Sequence, residues 1–192
     1  DVSTDVILFN IDSKADSNSK SNKDGIVKVF MKVFNEMQGY CATLPWVADL
    51  ERQLVKEGKY VDFQLKFEEL SGSRWTDSRE EDNIVKALAE TSNMSEEGAR
   101  NWYNKAEDNY SLSIEKFANL VKEYIESKGS NHHVIFFVDE MGQYIGEDVG
   151  LMLNLQTVVE DLGTYCGGRA WVVVTSQQDI DSITKVKGND FS

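Results

Sequence analysis

The chain has 192 residues, 41% of them hydrophobic and 10% aromatic, which is enough for one ordinary core and lies outside the regime of disordered polypeptides. Its 20 basic residues face 33 acidic ones, for a net charge of -13; nucleic-acid affinity comes largely from Lys and Arg displacing counterions, so direct binding to a phosphate backbone is not expected. No apolar run approaches the ~20 residues that span a bilayer, no signal-peptide pattern opens the chain, and Cys41 and Cys166 stand in no metal-ligand spacing, so a soluble cytoplasmic protein with two core thiols is expected.

The chain starts at Asp1 without a methionine and enters an apolar strand almost at once, as though cut from something longer. That strand, Asp5-Val6-Ile7-Leu8-Phe9-Asn10-Ile11, is a near-continuous apolar run of the kind that is buried on both faces of a parallel sheet. Residues 12–25, rich in Ser, Asn, Lys and Asp, predict a loop. Ile26, Val27, Phe30, Val33, Phe34 and Met37 then recur at helical spacing and stop before Gly39.

Residues 40–129 carry helical stripes and no strand signal. Pro45 sits where a first helix would begin, Ser95 before Glu96 and Glu97 predicts a capped helix start, and the stripe of Ile114, Phe117, Leu120, Val121, Tyr124 and Ile125 closes at Gly129. This block is expected to be a helical insertion between two parts of an α/β core, 1–39 and 130–192. Alternation then returns, with a strand at 134–138, a helix at 149–162, a strand at 171–174 and a further helix start at 180–186. Apolar strands separated by helices, with no hairpin turn between them, predict crossovers in a parallel sheet.

The sharpest chemical feature is Val134-Ile135-Phe136-Phe137-Val138-Asp139-Glu140, an apolar strand that ends in two adjacent carboxylates. In open α/β sheets ligands bind at the carboxyl ends of strands. An Asp there suits Mg²⁺, a hard cation that keeps several waters and accepts one or two carboxylates. A Glu one residue on can polarise an attacking water. This is the Walker B pattern, although a strand can also end in solvated carboxylates for no chemical reason. The strand Trp171-Val172-Val173-Val174 ends in Thr175-Ser176-Gln177-Gln178, hydrogen-bonding groups that either cap the strand or lie beside the acids.

The order of strand, helix, helical block, acidic strand, helix and polar-ended strand resembles the second to fourth strands of an AAA+ type P-loop ATPase module, whose sheet order is 5-1-4-3-2. The stretch VIFFVDEMGQYIG followed by WVVVTSQQD is similar to the large P-loop ATPases of bacterial BREX phage-defence systems. The resemblance covers about a quarter of the chain by motif and the rest by architecture. It implies part of a three-layer P-loop NTPase sheet, with ATP and Mg²⁺ bound in the intact parent and neither held tightly by this piece alone. It makes Asp139 the magnesium-side acid, Glu140 the catalytic base, and Thr175 or Ser176 the sensor of the γ-phosphate. Gln143, in the loop after the acids, either faces the nucleotide or is a surface residue.

One part of the pattern is missing. A phosphate loop needs Gly, four residues, Gly, Lys and Ser or Thr, because bare backbone N–H groups wrap the phosphates. Gly58-Lys59 is followed by Tyr60 and has Gln53 in place of the first Gly, and Gly167-Gly168 precedes a strand, not a helix. The loop is expected upstream of Asp1, in the missing remainder of the ATPase. The piece is then inactive alone, with strand 171–174 bare at the sheet edge and prone to self-association. Parallel adjacency should also bring Asp139 and Thr175 to one carboxyl edge, with the first strand on the far side of 134–138.

Other candidates are weaker. His132 and His133 read as a solvated pair at a strand start, no Ser, His and acid constellation is evident, and Arg52, Arg74, Arg79 and Arg100 read as exposed ion-pairing residues rather than an arginine finger. An acid–base pair of Asp139 and Glu140 is poorly placed, because neighbouring residues rarely straddle a substrate at the roughly 5 Å or more such pairs need. The rival reading is a protein-interaction module in which the helical block is the working surface and no nucleotide chemistry takes place.

Overall fold

The computed structural model describes residues 2–16 and 24–176. The expected helix start at 180–186 lies outside them, as do Gln177 and Gln178. Three strands, β1 (Ser3–Asn10), β2 (His132–Asp139) and β3 (Ala170–Val174), form one sheet in the order β1-β2-β3. Both pairings are parallel, with Asn10 opposite Asp139 and Val138 opposite Val174. Parallel neighbours need long crossovers. Here the β2–β3 crossover is made by α8 (Met141–Ile145) and α9 (Val149–Tyr165). The β1–β2 connection holds α1 (Ile11–Lys14), α2 (Gly25–Met37), then α3 (Pro45–Lys56), α4 (Tyr60–Ser71), α5 (Glu81–Thr91), α6 (Glu96–Asp108) and α7 (Ile114–Lys128). The fold is α/β.

The chain separates into two compact units, one running up to Met37 and resuming at Leu112, the other spanning Gln38–Ser111. The expected boundary at Gly129 is therefore misplaced. Helix α7 belongs with the sheet, because Phe117, Ala118, Val121 and Ile125 are fully buried in the same core as Phe9, Phe30 and Phe136. A helical period is the same whether the helix packs on a sheet or on other helices, so the stripe alone could not assign it.

The core of the sheet unit is aromatic. Phe30 of α2 lies 5.5 Å from Phe9, 6.0 Å from Phe117 and 5.2 Å from Phe136, ring centre to ring centre, and Phe34 meets Phe117 and Tyr124 edge-on. Such pairs add about 0.5–1.5 kcal/mol beyond area burial. Local sequence sets the helix ends that frame this core. Ser113 and Asp148 accept the Lys116 and Leu151 amides at the starts of α7 and α9, which satisfies N–H groups that helix starts leave without partners. Gly39, in the left-handed region just after α2, turns the chain at no steric cost.

The strands alternate where burial on both faces was expected. Ile7, Phe9, Val134, Phe136, Val138 and Ala170 face the core shared with α2, α7 and α9, while Val6, Leu8, Trp171 and Val173 are 59%, 70%, 57% and 40% exposed. Between them, Ile135 and Phe137 of the central strand are only half-buried. Among the described residues the sheet is covered on one face, giving two layers where three were expected. The apolar run reflects a face that is apolar without being covered.

The helical unit has its own core, in which Trp75 is 1% exposed and packs edge-on against Phe63 at 5.0 Å and Phe67 at 4.9 Å. Pro45 opens α3 at a position where the missing N–H costs nothing. Glu51 of α3 is fully buried, a placement carboxylates almost never adopt unless paired. It accepts the Cys41 amide at 2.6 Å, the Tyr60 hydroxyl at 2.5 Å and the Trp75 indole N–H at 3.0 Å. These three donors replace the water it lost.

Candidate functional site at the carboxyl edge of the sheet

The three strands deliver polar residues to one edge because each apolar run stops at the same level of the register. Beyond the last strand pair, the Thr175 amide donates to the Val138 carbonyl at 3.0 Å, which carries the β2–β3 ladder one residue further and sets Thr175 beside Asp139. The Thr175 hydroxyl donates to Asp139 Oδ1. The same oxygen accepts the Glu140 amide at 3.0 Å, and that amide also points at Thr175 Oγ1, 3.4 Å away. The expected meeting of Asp139 and Thr175 is found, with β1 on the far side of β2.

Glu140 adopts φ 60° and ψ 23° before α8. A left-handed conformation in a residue with a Cβ costs about 1–2 kcal/mol and persists only where its surroundings enforce it. The bend has a partner on β1: Asn10 Nδ2 donates to Glu140 Oε2 at 2.5 Å, while Asn10 Oδ1 accepts the Ser13 amide at 3.1 Å and caps α1. Asn10 thus has both ends of its amide committed. Its part was missed in the sequence, where the only signal is that it is the first polar residue after the apolar run of β1.

Asp139 is exposed and Thr175 and Ser176 are half-buried; the hydroxyl found at Asp139 is that of Thr175. Gln143, expected in a loop, lies in α8, and its Oε1 is buried with no hydrogen-bond partner among the described residues. An orphaned acceptor of this kind calls for a donor from water or ligand. No group of three or more His, Cys, Asp or Glu that could hold a metal occurs among the described residues. The edge therefore does not build an all-protein metal cage, but one exposed carboxylate beside a hydroxyl matches the sparse protein ligation of Mg²⁺ at phosphate sites.

At the opposite edge the structure assembles a Ser, His and Asp set that was not evident in the sequence. His132 Nδ1 lies 2.8 Å from Ser3 Oγ and its Nε2 3.0 Å from Asp5 Oδ2, and the Tyr124 hydroxyl donates to the same Asp5 oxygen at 2.5 Å. The Tyr124 hydroxyl, with His132 and the nearby Lys128 charge, holds the Asp5 carboxyl below its ordinary value of 3.8 despite some desolvation. His132, expected to be solvated, is only 5% exposed. A ring enclosed in this way does not reach a substrate, and the network lashes β1, β2 and α7 together.

Three of the four arginines singled out are engaged within the helical unit, and Arg74 is exposed. Arg52 is largely buried rather than exposed, 5.3 Å from the Tyr40 ring centre and 3.2 Å from Asp49, and desolvation lowers its pKa. Arg79 stands over Trp75, and Arg100 pairs with Glu81 and Asp82. No protein-family model matches the sequence, and no solved structure matches the chain. The functional reading rests on the residues at the edge.

Proposed function

We propose that this chain is the acidic half of a P-loop ATPase domain of the AAA+ type, of the kind found in the large ATPases of bacterial BREX phage-defence systems. In this reading it is inactive alone, since its sequence offers no loop to grip phosphates. The observation that supports it is the convergence of Asn10, Asp139, Glu140 and Thr175, from three adjacent parallel strands, at one carboxyl edge. Open parallel sheets bind ligands at that edge.

The residues would divide the work as follows. Asp139 would meet Mg²⁺, directly or through its water, with the oxygen that Thr175 does not occupy; bound Mg²⁺ neutralises charge on the transferred phosphate. Glu140 would orient and deprotonate the attacking water. Asn10, by holding the Glu140 carboxylate, keeps the base turned along the edge until that bond is released. The Thr175 hydroxyl orients Asp139 and can turn to donate to a phosphate oxygen, the sensor role, with Ser176 next in line. Gln143 supplies the spare acceptor one turn beyond the base.

The test is hydrolysis by a protein that joins this segment to a phosphate-binding loop. Glu140→Gln should retain ATP binding and lower turnover by about 100-fold or more, the usual weight of a positioned general base. Unchanged turnover would remove Glu140 from the chemistry. A partner that binds the helical unit identically with and without nucleotide and with Glu140→Gln would favour the interaction-module reading instead.

A further inference from the structure

The face of the sheet turned away from α2, α7 and α9 presents Val6 and Leu8 from β1, Ile135 and Phe137 from β2, and Trp171 and Val173 from β3. The first and last pairs are 40% to 70% exposed. Charge is absent from this stripe until Asp139 at its carboxyl end. Parallel sheets occur almost only with both faces covered, and the exposed fractions of these side chains amount to roughly 500 Å² of contiguous apolar surface, at the upper end of what a monomer leaves open.

We infer that this face docks on the same face of a second copy of the chain, forming an isologous two-fold dimer in which two sheets pack face to face. The inference concerns this chain by itself; under the nucleotide reading the remainder of the domain is the competing cover for the same face. Two features favour a second copy over an unrelated partner. A patch lacking charge is complementary to itself even in a chain of net charge -13, because the repelling groups lie outside the contact. Two such patches also bury about 1,000 Å² together, the lower limit for a specific interface, so the dimer is weak and reversible. With the two-fold axis placed at the central strand of the patch, Phe137 lies opposite its own copy. Screening of the acidic surfaces strengthens the association as salt is added.

Sedimentation equilibrium of the 192-residue chain from micromolar to millimolar concentration tests this. The expected result is a monomer–dimer equilibrium that tightens with salt, weakens by about 100-fold or more in Leu8→Glu, where two carboxylates would be buried without partners, and is unchanged in Leu65→Glu, a control at an exposed position of α4 in the helical unit. A monomer at every concentration overturns the proposal. So does association that survives Leu8→Glu, since pairing through the backbone edge of β3 does not involve β1. Should Leu8→Glu fail to fold, Phe137→Cys replaces it: mild oxidation should yield a disulfide-linked dimer, with none from Leu65→Cys, and equal yields from both overturn the inference.

Discussion

The two units use carboxylates in opposite ways. In the helical unit Glu51 is fully buried and accepts from three donors, so that most of its accepting capacity is occupied and its role is to fix Cys41, Tyr60 and Trp75 in place. In the sheet unit Asp139 and Glu140 stand at an open edge and are held by few contacts, through Thr175, Asn10 and a strained backbone. A satisfied carboxylate specifies a core, whereas one with capacity to spare can take a ligand. Composition does not separate these cases; hydrogen-bond accounting does.

The comparison can be broken first at the two cores. Phe30→Ala removes the ring that joins α2 to both β1 and β2 and should destabilise the sheet unit by about 4 kcal/mol. Chemical denaturation followed through Trp171, the tryptophan of the sheet unit, will check it, and a loss under about 1 kcal/mol would mean that the aromatic cluster is not the core. Glu51→Ala leaves three buried donors without an acceptor and should cost the helical unit about 3 kcal/mol. The near-ultraviolet circular dichroism of buried Trp75 is the readout, and an unchanged signal and midpoint would show that Glu51 is not structural.

The contrast sharpens at the edge. Asn10→Ala deletes both the cap of α1 and the hold on Glu140, and should lower stability by about 1 kcal/mol, a thermal shift small beside the core variants. A cost as large as that of Phe30→Ala would mark the edge as part of the core. The smallest effect concerns Asp5, whose carboxyl titrates below its ordinary value in the folded chain. A depressed folded pKa contributes stability that is present above the unfolded value and lost as pH falls through the folded one. The gap in stability between the wild type and Asp5→Asn should therefore be constant above about pH 5 and close as the pH drops below the ordinary carboxylate range. A gap that widens with acid would reverse the assignment.

Most of the architecture was legible in the chain. Apolar runs of strand length, helical stripes, and Ser, Pro and Gly at helix ends are local signals, and they located β1, β2, β3, α2 and α9 to within a few residues. The acids after β2 and the hydroxyl after β3 were equally visible, because a run of apolar residues that stops abruptly marks where a strand meets solvent. Other features were not visible. Asn10 looks like any strand-end residue until the register sets it opposite Asp139. Arg52 and His132 look exposed until Tyr40 and Asp5 are seen to stack on one and bond the other. Each of these depends on a partner distant in sequence.

What the sequence by itself determined is therefore the set of elements, the parallel α/β class and the chemistry available at the ends of the strands, since these follow from backbone sterics and the period of apolar residues. Tertiary structure alone decided that α7 joins the sheet, that Glu51 is buried and Asp139 is not, and that among the described residues one face of an apolar sheet is left uncovered. Burial is a property of what lies on the other side of a residue. A pattern along the chain shows which faces are apolar, and only the packed fold shows which of them found a cover.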